Sequence, residues 1–256
     1  MKSYPFDLQQ KVALITGGSR GLGKAMALAL ATAGARVAVA SRHLPTCEAT
    51  AEELRSQTGR DALAVACDVT KPDQIHRMVD TVLEQWGQID ILINNAGINI
   101  RQPMETFSLE TWQQIMDTNI TGPFLCCQAV APHMKARRSG RIIMIGSIMG
   151  EVGLPHRVPY CASKGAIHLM TKALAIEWAP YNITVNAIAP GPFMTDLNAQ
   201  ARQDSEYFRF LADRVPLGRR FGDPEEIGGL AVFLASDASR FITGAIIPVD
   251  GGWLAQ

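Results

Sequence analysis

The chain has 256 residues, 47% hydrophobic and 19% charged, which suits a large buried core and excludes a disordered polyelectrolyte. Lys+Arg and Asp+Glu each number 24, so no global field invites nucleic acid or an anionic membrane surface as a partner. No apolar run approaches the ~18 residues that span a bilayer, and residues 1–7 read as a polar lead-in rather than a targeting segment.

Residues 11–16 are an apolar run followed by Gly17-Gly-Ser-Arg-Gly21-Leu-Gly23 and an Ala/Leu-rich helical stretch over 24–33. Strand, glycine loop and helix open a nucleotide-binding βαβ unit. Gly34 stops the helix, and a buried strand follows at 36–40. A helix at 45–57 ends before Gly59, and a third strand at 62–66 runs into Cys67-Asp68-Val69. Thr70 and Asp73 predict a capped helix that ends at Trp86 and Gly87. A fourth strand, 89–93, leads into Asn94-Asn95-Ala96-Gly97. Ser108 caps a long helix over 109–135, whose last turns Pro132 should kink or shorten. A strand at 141–145, a loop, a helix to Trp178 and a strand at 183–188 come next. Residues 192–215 mix polar, aromatic and charged types after two prolines, as a mobile segment would. A helix at 224–235 and a strand at 245–249 close the chain.

This alternation predicts an α/β fold, a single-domain Rossmann-type doubly wound parallel sheet of about seven strands with helices on both faces. One domain spans 1–256, with a cofactor half at about 8–145 and a catalytic and substrate half at 146–256. The five cysteines show no C-x-x-C and no metal-ligand spacing, so no metal is expected. They read as small apolar fillers in a reducing, cytoplasmic setting.

In the glycine loop, Gly17 allows a tight turn, Gly21 a close backbone approach to a pyrophosphate, and Gly23 close packing of helix on strand. Where an acidic residue would accept from a ribose 2′-hydroxyl, this chain has Ser41-Arg42, with Arg20 nearby in the loop. Two guanidiniums and a hydroxyl suit a 2′-phosphate, which predicts NADP(H) in preference to NAD(H).

Tyr160 and Lys164 lie four apart and share a helix face beyond the loop that carries Ser147. A phenol with an ordinary pKa of ~10 needs about 4 kcal/mol of help to act as a base near neutrality. One positive charge ~4 Å away at an effective dielectric of ~20 gives about that much. Lys164 is therefore expected to lower the pKa of Tyr160.

Thr16-Gly-Gly-Ser-Arg-Gly-Leu-Gly23, Asn94-Asn-Ala-Gly97, Ser147, Tyr160-x-x-x-Lys164 and Pro190-Gly191 occur in an order and spacing that resemble the short-chain dehydrogenases/reductases, over about residues 8–254. That resemblance implies a catalytic set of Asn119, Ser147, Tyr160 and Lys164, with Asn119 holding a water that connects Lys164 to solvent. It implies that Ser19, Arg20 and Leu22 lie with the glycines at the cofactor, that Asp68 and Val69 flank the adenine, and that Asn95, Ala96 and Gly97 line the groove. Lys164 would bond the nicotinamide ribose, and residues 188–191 (Pro190 and Gly191 among them) with Thr195 would hold the carboxamide end. A helix-entry cap for Asp68 and a plain helix-face amide for Asn119 are the alternatives. A homotetramer through helices 108–136 and 158–178 and the C-terminal end is also implied.

Substrate should meet residues 98–104, 149–157 and 192–215, loops beyond the carboxyl ends of the strands. Arg101, Met149, His156 and Arg157 join Ser147 and Tyr160 there, the cations facing a carboxylate or several hydroxyls. Gly97-Ile-Asn-Ile-Arg101-Gln-Pro103 and Val249-Asp-Gly-Gly-Trp253 resemble the gluconate 5-dehydrogenase-like branch, which implies gluconate and 5-keto-D-gluconate as substrates. A 3-oxoacyl-carrier-protein reductase or a general carbonyl reductase is the alternative. A non-catalytic nucleotide sensor or scaffold would usually have lost the catalytic set.

Overall fold

The computed structural model describes residues 6–198 and 204–256, so part of the segment expected to be mobile, 199–203, lies outside the described residues. Seven strands, β1 (Val12–Thr16), β2 (Arg36–Ser41), β3 (Ala62–Ala66), β4 (Ile91–Asn94), β5 (Gly140–Ile145), β6 (Ile183–Pro190) and β7 (Ile246–Val249), form one sheet in the order 3-2-1-4-5-6-7. Every pairing is parallel. Central strands are mostly apolar because both faces are covered, as in β1, where four of five residues are apolar and all five are buried.

The helices α1 (Gly21–Thr32), α2 (Leu44–Thr58), α3 (Pro72–Trp86), α4 (Leu109–Met116), α5 (Gly122–Arg137), α6 (Val158–Trp178), α7 (Ser205–Asp213) and α8 (Gly228–Ala235) carry the crossovers and the cover. One core packs Met26 and Leu30 of α1, Leu54 of α2 and Leu234 of α8 on one face of the sheet. The other packs Ile75, Met78, Val79 and Val82 of α3 with Val130 of α5 and Ile167 of α6. The 75–78–79–82 spacing is one helical stripe, which is why α3 forms where it does.

Several boundaries differ from expectation, each for a local reason. Helix α1 begins at Gly21, inside the glycine loop, three residues early. Thr70 and Asp73 do not cap α3; Lys71 stands at its N-cap without a side-chain bond and Pro72 starts the helix. Asp68 Oδ1 instead accepts from the Thr70 backbone N–H at 2.9 Å and its hydroxyl at 2.8 Å, tightening the turn just before it. The long helix expected over 109–135 is interrupted by a π turn, Asp117–Thr121. Pro132 does not shorten α5, which continues to Arg137. The 192–215 segment contains α7, capped by Asp204, whose Oδ1 accepts from Tyr207 N–H at 2.9 Å.

At the amino ends of the strands, buried Asp90 fixes three of them. Its N–H donates to Val12 and its carbonyl accepts from Arg141, each at 2.9 Å. Its Oδ2 accepts from Val12 N–H (2.9 Å) and Gln88 Nε2 (2.8 Å), and Oδ1 pairs with Arg137 at 3.2 Å. Asp90→Ala leaves a buried Val12 N–H without its acceptor, so we expect a loss of about 1–3 kcal/mol in chemical unfolding. Asp90→Asn, which keeps an acceptor, should lose less.

Candidate active site

The strands β1, β4, β5 and β6 end together at Thr16, Asn94, Ile145 and Pro190, and the loops after them form one rim. The order of strands reverses between β1 and β4, where ligands of doubly wound sheets bind. Gly17, at φ +63°, makes the turn after β1, and a Cβ on Gly23 would lie 2.2 Å from the Gly17 carbonyl oxygen. The twelve-residue α1 has Arg20 at its N-cap with no side-chain bond, and no acidic residue in its first turn. Its free N–H groups and positive dipole end fit a pyrophosphate.

Beside this cradle, Ser19 Oγ donates to Ser41 Oγ at 3.1 Å, and Ser41 Oγ lies 3.0 Å from Cys47 Sγ. Arg42 is exposed, and Arg20 stands 3.7 Å from Asp196 across the groove. Thr195 comes to 3.4 Å from a Cβ built on Gly21, which brings the loop after β6 over the glycine loop. Leu22 packs against the α1-side core and buried Val69 against Gly122. At this end β2 and the glycine loop present cations and hydroxyls, and β2 presents no carboxylate.

One line of hydrogen bonds joins the cradle to the far side of the rim. Asn95 Nδ2 donates to the carbonyls of Thr16 (3.0 Å) and Gly17 (2.9 Å), while Thr16 Oγ1 accepts from the N–H groups of Asn95 and Ala96. Two residues on, the Ile98 backbone is clamped by Asn119, whose Oδ1 accepts from Ile98 N–H and whose Nδ2 donates to Ile98 O, both at 2.9 Å. Asn119 Nδ2 also donates to Ser163 Oγ (3.1 Å), and that hydroxyl donates to the Tyr160 carbonyl (2.7 Å). The side chain of Asn119 is thus engaged in holding the chain. Its place in a π turn, a feature frequent at functional sites, is what aims it inward.

On α6, Tyr160, Ser163, Lys164, Ile167, Thr171, Ala175 and Trp178 are all buried, a single stripe that continues into the core. The reactive pair therefore inherits its orientation from helix packing. Lys164 Nζ donates to the Ile145 carbonyl at 2.7 Å, next to Gly97, and burial lowers its pKa from 10.5 to about 8. Tyr160 hydrogen-bonds Ser147, whose Oγ also accepts from Met149 N–H at 3.1 Å.

The expectation that Lys164 lowers the pKa of Tyr160 is not met in the protein alone. Burial raises it; the Ser147 hydrogen bond and the charge of Arg157 oppose that rise without cancelling it. Lys164 Nζ lies 5.6 Å from the Tyr160 ring centre and gives its hydrogen bond to Ile145 instead. At neutral pH Tyr160 is thus a phenol, ready to donate a proton.

Above Tyr160, the loops after β4 and β5 meet where Gln102 N–H donates to the His156 carbonyl at 3.1 Å. His156 is exposed, at φ +64°, and this contact uses its backbone alone. Arg101 and Arg157 flank Tyr207 of α7: the Arg101 guanidinium lies 3.8 Å from the ring centre, and Arg157 Nη2 donates to Tyr207 Oη at 3.0 Å. Nε of Arg101, Nε of Arg157 and Oδ1 of Asn99 are buried without a partner among the described residues. Tyr207, Asn99 and Ser163 were not singled out from sequence. Ser163 had a usable signal, standing between the reactive pair on the same face; Tyr207 had only the Asp204-x-x-Tyr207 capping pattern.

A dinucleotide cradle beside a buried phenol, serine and lysine defines an oxidoreductase that acts on CH–OH groups and exchanges hydride with a nicotinamide. The family model described as Enoyl-(Acyl carrier protein) reductase matches residues 17–254. The chain is 40% identical to gluconate 5-dehydrogenase of Gluconobacter oxydans over 252 residues, 98% of each chain. It is also 40% identical to a 3-oxoacyl-[acyl-carrier-protein] reductase of Synechocystis over 247 residues, 96% of this chain and 97% of that one. The crystal structure of a gluconate 5-dehydrogenase from Burkholderia cenocepacia in complex with NADP and tartrate superimposes with a TM-score of 0.94 at 40% identity, covering 98% of both chains. This chain belongs to the short-chain dehydrogenase/reductase family.

The pKa of Lys164 supplies a pH test. A folded-state value of about 8 against 10.5 means that burial costs about 3 kcal/mol wherever both states hold the proton. That cost is full below pH 8 and disappears as the pH rises toward 10.5. Lys164→Met removes it, so the stability of the variant relative to the parent should be greatest near pH 7 and decline from pH 8 to 10. Parallel stability curves for the two proteins would contradict this.

Proposed function

We propose that this chain interconverts a sugar acid and its keto acid, gluconate and 5-keto-D-gluconate, using NADP(H) in preference to NAD(H). The observation that carries the substrate is the pair of guanidiniums, Arg101 and Arg157, at the mouth above Tyr160, with buried nitrogens still unpartnered. Two cations suit a carboxylate at one end of a short polyol, and Asn99 Oδ1 suits one of its hydroxyls. The relatives named for gluconate support this reading, as does the neighbour crystallised with NADP and tartrate.

When bound, the nicotinamide gives or takes the hydride. The chain has to hold the carbonyl and move one proton. Ser147 Oγ hydrogen-bonds the substrate oxygen as charge gathers on it, and Tyr160 delivers the phenol proton in reduction and recovers it in oxidation. Lys164 fixes the nicotinamide ribose and adds positive charge beside the phenol once Tyr160 becomes anionic.

Arg20, Ser41 and Arg42 around a 2′-phosphate favour NADP(H) by about 10- to 100-fold in kcat/KM, from contacts contributing ~1.4–3 kcal/mol. The working form is a cytoplasmic homotetramer; exposed Leu109, Phe124, Leu169 and Ile176 supply apolar helix faces of the kind a partner copy covers. A 3-oxoacyl thioester is the second reading, favoured by the Synechocystis relative.

Gluconate oxidation and acetoacetyl thioester reduction, each with both cofactors at subsaturating concentration, separate these readings. We expect the sugar acid and NADP(H) to give the larger kcat/KM; thioester turnover exceeding gluconate turnover overturns the substrate. Tyr160→Phe should lower kcat at least ~10²-fold while NADPH still quenches the protein's fluorescence. Full activity in that variant rules out the proton path.

A further inference from the structure

Tyr207 sits between two cations in an arrangement that needs an explanation. The Arg101 guanidinium stacks 3.8 Å from the centre of its ring, and the Arg157 guanidinium lies 6.0 Å from it while donating to its hydroxyl at 3.0 Å. The side chain is only partly buried and joins the small apolar cluster that includes Tyr160, Met149 and Leu211. Its own N–H is held by Asp204, at the start of α7.

Arg157 is the better fixed of the two cations, 7% exposed and at the N-cap of α6, where its carbonyl accepts from Cys161 N–H at 2.9 Å. It stands three residues before Tyr160 on the same helix, so its distance to the proton donor is set by backbone rather than by a loop. Nε and Nη2 of an arginine point the same way and form one edge of its fork, which accepts the two oxygens of a carboxylate. In Arg157, Nη2 is taken by the Tyr207 oxygen, while Nε is buried with no partner among the described residues. A phenol oxygen satisfies half of that edge.

We propose that Arg157 is the carboxylate ligand of this site and that Tyr207 is its placeholder, displaced when an acid substrate binds. The proposal rests on the sugar-acid reading given above. A neutral phenol is the weaker acceptor, so exchange for a carboxylate replaces one ordinary hydrogen bond with two charge-assisted ones. Tyr207 also lies between guanidiniums that repel each other, and an anion entering as it leaves removes the repulsion. The arrangement admits acids and gives a neutral ketone nothing with which to displace the phenol. Arg157 then fixes how far from the carboxylate the reducible carbonyl must lie.

The test compares 5-keto-D-gluconate with its neutral amide, reduced with NADPH by the parent protein and three variants, with NADPH binding measured to verify folding. The parent should prefer the acid. Arg157→Met should cut that preference at least about tenfold, mainly through KM, and Arg157→Lys, a point charge without a fork, should restore only part of it. Tyr207→Phe removes the competing acceptor and should lower KM for the acid by about fivefold, the size of one net hydrogen bond. A preference that survives Arg157→Met overturns Arg157 as the ligand. A raised KM in Tyr207→Phe makes the hydroxyl a substrate contact and overturns the placeholder. A parent protein that reduces ketones but not the keto acid sinks the sugar-acid reading itself, whereas one that reduces acid and amide equally sinks only the clamp.

Discussion

The site depends on the amide of Asn95, which bonds the carbonyls of Thr16 and Gly17 where β1 turns into the glycine loop. A glycine turn is conformationally free, and freedom is the wrong property for a phosphate cradle. The Asn95 amide removes it by tying the end of β1 to the end of β4 across the point where the strand order reverses. The same bonds fix Asn94 to Gly97 in an extended path beside Lys164. Asn119, Ser163 and the Tyr160 carbonyl continue the line. The glycine loop and Tyr160 thus stand at two ends of one connected line.

Lys164 sets the electrostatics. A fully buried ammonium with one carbonyl partner is an unfavourable arrangement for a stable fold and a useful one for chemistry, since its charge is little screened by water. Its effect on Tyr160 differs between the two protonation states of the phenol. While the phenol is neutral, Lys164 bonds Ile145 and burial dominates, keeping the proton in place. An anionic phenol next to the same ammonium is the form the buried charge stabilises. One charge at ~4 Å is a geometry that the resting side chains do not adopt, since Lys164 Nζ lies 5.6 Å from the Tyr160 ring centre.

Much of the fold was legible in the sequence because its signals are local. Apolar runs punctuated by glycines at positions 17, 34, 59 and 87 marked β1 to β4 and their helices to within a few residues, as parallel strands buried on both faces must appear. Two features escaped. The π turn at Asn119 has no propensity signature in the sequence. The cap of α3 is the second: Thr70-x-x-Asp73 has the spacing of a capping box, yet Pro72 sets the helix start and Asp68 closes the turn before it. The candidate catalytic residues stand in an ordered set of motifs, whereas the hydrogen bonds around them join residues as far as 80 apart.

The substrate mouth was least legible because no single stretch of chain builds it. Arg101 comes from the loop after β4, Arg157 from the entry to α6, and Tyr207 from a helix read in sequence as an irregular segment. Each alone looks like an ordinary surface residue, and an isolated surface cation contributes little to binding. Their meaning comes from convergence. Two buried guanidinium nitrogens and one buried amide oxygen without partners are costly in a folded protein. Gathered beside Tyr160, they are the groups on which the sugar-acid proposal rests, since one anionic polyol offers partners to all three.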